Sequence, residues 1–382
     1  MDFGSQILDF GADSLRGEGA FDLIESRGEP DFWCDLRARL HDAAQKYPNG
    51  GAIGFVGYEA IRNLEPRALP TFQNDDLKLP LARLVFYKRL RTDKIAAIIP
   101  SFPPNFSDFP HFEDARCFYE NGVETIKNYI AAGDIYQANL TRRFRVETRF
   151  SPTEIYRRLQ SFGAAPRAAL LKWNDFSLVS NSPETFLTLK SGVLEAKPIK
   201  GTMRRGQTET EDEELRLELA RSAKNRAENV MIVDLMRNDL GRVCEFGSVR
   251  VPQLYQIESF PTLHHGVSTV RGRLRSGCTA LDAFLAAFPC GSITGAPKMR
   301  AMQILNDLES HPRAAAMGAI GYFAFNGDMA WNVAIRTTTI VGNHAYFHVG
   351  GGIVADSNSA EEYAEMRLKA RALYTAITTE ST

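Results

Sequence analysis

Four clusters of residues have the types and spacing to act on an anionic substrate. Glu361 and Glu362 precede Glu365 by four and three positions and Lys369 follows it by four, so a helix beginning near Ala360 would carry carboxylates followed by a cation on one face. Such a face is either a run of surface ion pairs or a Mg²⁺ site, because that ion takes one or two carboxylates and fills its shell with water and substrate oxygens. Gly350, Gly351 and Gly352 follow a strand-like run and precede a turn. They form either a tight turn or a set of backbone amides free to converge on an anion. Glu228, with Asn225 about one turn earlier, enters the apolar run 230–233 as either a ligand or a satisfied structural acid. Arg336 ends the apolar stretch 331–335 and needs a partner, either an internal carboxylate or one brought by a substrate.

A nucleophile is offered by Lys200 in AKPIKGT (196–202). Pro198 biases its neighbour toward extended backbone, and a strand there sends Lys197 and Lys200 to opposite faces, so at most one of them faces a site. A solvent lysine is the plain alternative. At a reference pKa of about 10.4, only about one amine in two thousand is neutral at pH 7. Burial, or neighbouring cations such as Arg336, Lys369 and a metal ion, would favour the neutral form. Other chemistries find no support. GAIGFVG (51–57) and GSITGAPK (291–298) match neither the dinucleotide nor the P-loop pattern. No G-x-S-x-G or H-E-x-x-H occurs, and the five cysteines include no C-x-x-C pair, which reads as free thiols in a reducing cytoplasm.

These residues must be positioned by a chain of 382 residues whose 45 basic and 46 acidic side chains leave a charge of −1. That balance argues against binding nucleic acid by phosphate neutralisation. No apolar run reaches the length of a membrane-spanning helix, and the first ten residues lack the basic and apolar regions of a secretory signal. A proline-rich break at 100–112 separates an N-terminal region, 1–110, from a larger part, 115–375, and both are expected to form one body. Helical patterns are expected at 117–132, 209–236, 280–288, 298–309 and 361–377. Strands are expected at 83–87, 94–99, 140–147, 168–173, 176–180, 318–325 and 331–341. Clustered strands separated by helices favour an α+β fold with largely antiparallel sheets over a doubly wound parallel one.

Taken together, GDIYQANLTRRF (133–144), SPETF (182–186), PIKGTMRRG (198–206), AENVMIVDLMRNDLGRV (227–243), HHGVSTV (264–270), GSITGAPKMRAMQILNDLE (291–309), GAIGYFAFNGDMAWNVAIRT (318–337) and GGGIVADSNSAEEYAEMRLKA (350–370) resemble the chorismate-utilising enzyme family. Its members include anthranilate, aminodeoxychorismate, isochorismate and salicylate synthases. The resemblance implies two large, mostly antiparallel β-sheets packed as a sandwich with helices outside. Lysine within PIKGT, where anthranilate synthases have alanine, is similar to the branch that replaces the C4 hydroxyl of chorismate by an amino group on the route to p-aminobenzoate and folate.

The resemblance further implies that Lys200 attacks C2 and that Glu184 is the general acid. Glu228, Glu362 and Glu365 would hold Mg²⁺. Arg336, Lys369 and the amides of Gly350, Gly351 and Gly352 would hold the substrate carboxylates, with Gly201, His265 and Ser292 lining the same site. His264 is set aside as the neighbour outside the motif. Ala316 departs from the many relatives with an aromatic residue there, so one substrate contact would be missing or supplied from elsewhere. No glutaminase motif accompanies these segments, since Cys290 in FPCGS lies inside the chorismate motif. Ammonia would therefore come from a separate glutamine amidotransferase subunit or from free ammonium.

Overall fold

Period-two alternation decides what each strand buries. Ile53 and Phe55 enter one hydrophobic cluster while Ala52 and Val56 enter another, and Val85 and Tyr87 are split in the same way from Leu84 and Phe86. The computed structural model describes residues 3–10, 13–71, 74–94, 108–110, 112–260 and 263–378. Its N-terminal part runs β1 (Ser5–Phe10), β2 (Asp13–Ser26), α1 (Phe32–Lys46), β3 (Gly51–Val56) and β4 (Ala82–Lys94). Next come α2 (Glu113–Ala131), β5 (Gln137–Glu147), α3 (Pro152–Gly163), β6 (Arg167–Lys172), β7 (Ser177–Ser182), β8 (Thr185–Lys190), β9 (Val193–Lys197) and β10 (Ile199–Arg204). Then follow α4 (Glu209–Arg221), α5 (Ala223–Gly241), β11 (Arg250–Ser259), β12 (Leu263–Arg273), α6 (Ala280–Ala287), β13 (Gly295–Ala296) and α7 (Lys298–Leu308). The chain closes with β14 (Ala319–Ala324), β15 (Met329–Val333), β16 (Thr337–Val341), β17 (His344–Ile353) and α8 (Ser359–Thr378).

All described pairings are antiparallel, as expected, and they link the strands into one continuous ribbon. From β11 it passes to β12, which β10 and β9 both pair, and from β9 on to β8, β15, β14, β3 and β4. The long pairing of β4 with β2 carries it onward to β1, β6, β7, β16, β17, β5 and finally β13. The two halves face each other across a core in which Ile53, Phe55, Val85 and Ile320 meet Leu8, Ala169, Leu171 and Leu178. Helices α1, α5 and α6 cover the outer face of the first half, and α2, α3, α7 and α8 that of the second. This is the expected sandwich with helices outside, its sheets joined edge to edge through β2 and β4.

Three local expectations are corrected. The helix expected over 209–236 is two helices, because Ser222 leaves helical geometry (ψ 106°) and its hydroxyl caps the Asn225 N–H at 3.3 Å. The strand expected over 331–341 is interrupted, with Arg336 at φ +49° between β15 and β16. The three glycines are not in a turn: they pair within β17 with Thr141, Leu140 and Asn139 of β5. Of the strand expected at 94–99 only Lys94, the end of β4, is described, and most of the break at 100–112 lies outside the described residues, but Phe109 at its end is buried in the second helical layer. Among the described residues no helix is long and apolar enough to cross a membrane.

Candidate active site

Lys200 is aimed by a backbone irregularity. The register of β10 against β12 slips between Ile199 and Thr202, and Gly201 in the slip adopts φ +80°. A Cβ there would meet Asn225 and Leu219 at 2.9 Å, so glycine satisfies both the backbone and the packing. The bulge turns the largely buried Lys200 toward α5, where its Nζ lies 3.5 Å from Glu228 Oε2. Lys197, at the end of β9, instead lines a cavity with Pro183 and Ile199 and lies 4.0 Å from Glu195.

The end of β17 is the floor of the site. A Cβ on Gly352 would sit 3.3 Å from Lys200 Nζ and 2.7 Å from Gln137 Nε2. One on Gly351 would face Glu362 Oε2 at 3.4 Å and Lys369 Nζ at 3.5 Å. Lys369 donates to the Gly350 carbonyl at 3.1 Å and pairs with Glu365 at 2.7 Å. Glu362 accepts from Ser357 Oγ at 2.7 Å and has Lys224 at 3.8 Å. Burial raises the Glu362 pKa, and the charge of Glu365 adds to that rise. Glu365 is held below its ordinary value, chiefly by Lys369.

Glu184 sits between β7 and β8 and is almost wholly buried. Burial pushes its pKa up to about 7, against the opposing pull of the Ser292 hydroxyl and Lys200. Its Oε1 has no partner. His265 on β12 is pulled down to about 4, by burial first and then by Arg336, while its Nδ1 lies 2.9 Å from Thr202 Oγ1. Burial lowers the Arg336 pKa as well, and no acidic partner accompanies it among the described residues. An internal ion pair for Arg336 is thereby disfavoured, and a guanidinium without one suits an arriving carboxylate. His264 bonds Ser259 and Asp212, a structural role.

The sequence-designated residues thus converge from β10, β12, β17, α5, α8 and three connections. The surroundings of Lys200 differ from expectation in one respect. Its ion-pair partner is the Glu228 carboxylate, while Lys369 is engaged by Glu365 and Gly350. Among the described residues no metal-sized cluster of acidic, histidine or cysteine side chains is closed. Glu228, Glu362 and Glu365 nonetheless supply only hard oxygen donors, each now held by a lysine or a hydroxyl. That set fits an oxygen-seeking dication better than a soft metal.

Two side chains were missed in the sequence. Tyr119 of α2 is fully buried, donates its hydroxyl to the Leu140 carbonyl at 3.4 Å and stands 3.7 Å from where a Cβ on Gly351 would lie. Gln137 opens β5 with both amide atoms buried and unpartnered beside Gly352. A polar residue in GDIYQANL at a position that alternation buries was the available signal for it.

Fold and site together define a chorismate-binding enzyme. Residues 16–375 match the family model described as chorismate binding enzyme, and the chain belongs to that family. Aminodeoxychorismate synthase component 1 of Klebsiella aerogenes is 42% identical over 354 residues, spanning 87% of this chain and 78% of that protein. Anthranilate synthase component 1 of Aquifex aeolicus (strain VF5) is 36% identical over 413 residues, spanning 95% and 84%. The crystal structure of anthranilate synthase component I from Streptococcus pneumoniae TIGR4 superposes with a TM-score of 0.82 at 29% identity, covering 95% of this chain and 92% of that one.

Proposed function

We propose that the chain aminates chorismate at C4, giving 4-amino-4-deoxychorismate for p-aminobenzoate and folate synthesis. The observation that carries this reading is the pairing of a bulge-aimed, largely buried Lys200 with a buried acid, Glu184, whose pKa of about 7 leaves both its acid and its carboxylate form populated near neutrality. The neutral Lys200 amine bonds to C2, the ring electrons shift, and the C4–O bond breaks as Glu184 protonates the departing oxygen to water. Ammonia then bonds to C4, the electrons shift back, and the C2–N bond breaks to return Lys200 as the amine. The proton shed by the added nitrogen goes to the ionised Glu184.

Arg336 and Lys369 orient the substrate carboxylates, and His265, uncharged at neutral pH, lines the ring pocket without adding a second cation beside Arg336. A Mg²⁺ ion held by Glu228, Glu362 and Glu365 would draw charge from the ring carboxylate. Ammonia comes from a separate glutamine amidotransferase subunit in the cytoplasm, a compartment consistent with five free cysteines. The test is product identification with chorismate, Mg²⁺ and ammonium. A product that a lyase converts to p-aminobenzoate is expected; anthranilate would move the chain to the sister activity, which the similarity to anthranilate synthases keeps as the second reading.

A further inference from the structure

Behind Glu184 lies a buried thiol that the reaction above does not use. Cys290 Sγ stands 3.3 Å from Ser292 Oγ, and the Ser292 hydroxyl, together with the Ile199 backbone N–H, favours the ionised form of the Glu184 carboxyl. All three side chains are buried. Burial, and then the nearby Glu184 charge, push the thiol up to about 12, so it keeps its proton wherever the enzyme works. A serine hydroxyl has one proton to give. If Ser292 gives it to Glu184, the contact with Cys290 must run the other way, with the thiol donating to Oγ. Glu184 Oε1 is left as the buried oxygen without a partner.

We propose that Cys290 is a positioning residue for the general acid: its S–H holds the Ser292 hydroxyl proton on one Glu184 oxygen, so that the transferable proton resides on Oε1. The chain S–H to Oγ, O–H to carboxyl then points in one direction, and the acid proton faces the leaving hydroxyl instead of being shared between two oxygens. Lys200 is the charged side chain acting on Glu184, and Lys298 is the cation acting on Cys290. Lys298 is itself fixed by Asp239 at 2.7 Å and the Ala287 carbonyl at 2.9 Å, so it does not compete for the relay. The Cys290 thiol bonds the Ser292 hydroxyl, and its effect is exerted through that group.

The inference rests on Glu184 being the general acid, and the experiment separates the two claims. The full-length chain and its Cys290→Ala and Cys290→Ser variants are compared with chorismate, Mg²⁺ and saturating ammonium, measuring kcat and KM across pH 6 to 9. Removing the thiol donor weakens the Ser292 bond to the carboxylate, so in Cys290→Ala the alkaline fall of kcat moves to higher pH and kcat drops about three- to tenfold. KM stays within about twofold. A serine hydroxyl donates more strongly, so in Cys290→Ser the fall moves to lower pH than in the parent. Opposite displacements are the signature of the relay; superimposable profiles, displacements of the same sign, or a change confined to KM would overturn it. Should Cys290→Ala fail to fold, Cys290→Ser decides alone, a downward displacement supporting the relay and none overturning it. A parent without an alkaline fall, or an active Glu184→Gln variant, would sink the general-acid reading and the relay with it.

Discussion

Glu184 is asked to hold a proton in a place where its charge would be badly solvated, and that demand has a measurable consequence for folding. Its ordinary value is 4.5 and its folded value about 7, so the unfolded chain ionises first. The folded state binds more protons between those values, and the contribution of Glu184 to stability is therefore lost as pH rises from about 4.5 to 7. Glu184→Gln never has to ionise. It should abolish amination, yet at pH 8 be more stable than the parent by up to about 3 kcal/mol, with the difference vanishing near pH 4. Urea unfolding at the two pH values reads this directly, and an equal stability change at both would refute it. Arg336 makes the complementary case. Having no acidic partner among the described residues, it has little structural work to lose. Arg336→Met should raise the chorismate KM at least about tenfold while leaving Tm within about 2 °C, because no buried carboxylate is orphaned. A large fall in Tm would mean that its partner is internal.

At the scale of single elements, β17 grades its three glycines by what lies opposite each. A Cβ at 350 would come within 1.8 Å of the Leu140 carbonyl, which is backbone and cannot yield. At 351 the nearest atoms are the ends of Glu362 and Lys369 at ordinary contact distance, and at 352 they are Gln137 and Lys200. Gly350→Ala should therefore lower Tm strongly, Gly351→Ala should fold and keep most of its activity, and Gly352→Ala should fold but lose at least about tenfold in kcat by displacing the reacting amine. Thermal melts beside initial rates separate the three; equal effects at all positions would deny the strand a graded role. The strand run at 83–87 inside β4, the charge face of α8 and the spacing of the glycine run were readable, because each depends on neighbours in sequence. What was not readable depends on partners far away. Ser222 is an unremarkable serine until its hydroxyl is needed as a cap between α4 and α5. Arg336 read as part of a continuous strand because its left-handed φ reflects how β15 and β16 join other strands. The glycines left a tight turn open as one of two readings, because only the register with β5 shows them to be paired, and the bulge that aims Lys200 likewise exists only against β12.

On the scale of the whole molecule, the site depends on a buried clasp that ties distant segments together. Arg313 is 2% exposed and donates to both carboxylate oxygens of Glu309 at 2.7 Å, to the Ile293 carbonyl at 2.8 Å and to the Asn139 carbonyl at 2.6 Å. Its guanidinium lies 4.5 Å from the centre of the Tyr58 ring. Glu309 also accepts from the backbone and hydroxyl of Thr141, while Glu59 accepts the backbone N–H groups of Arg313 and Ala314. The turn after β3, strand β5, the Ser292 turn and the end of α7 thus meet at one ion pair drawn from both halves of the ribbon. Deleting one member strands the other as a buried charge, a loss of about 3–5 kcal/mol, whereas deleting both can be nearly neutral. Arg313→Met should therefore lower the urea midpoint sharply, and Arg313→Met with Glu309→Met should recover a large part of it. Because the clasp grips Ile293 beside Ser292, the double variant should stay folded yet turn over more slowly than the parent, with Glu184 less well supported. If the single and double variants are equally destabilised, the ion pair is incidental and hydrophobic packing alone joins the halves; if the double variant is both stable and fully active, the clasp has no bearing on the acid.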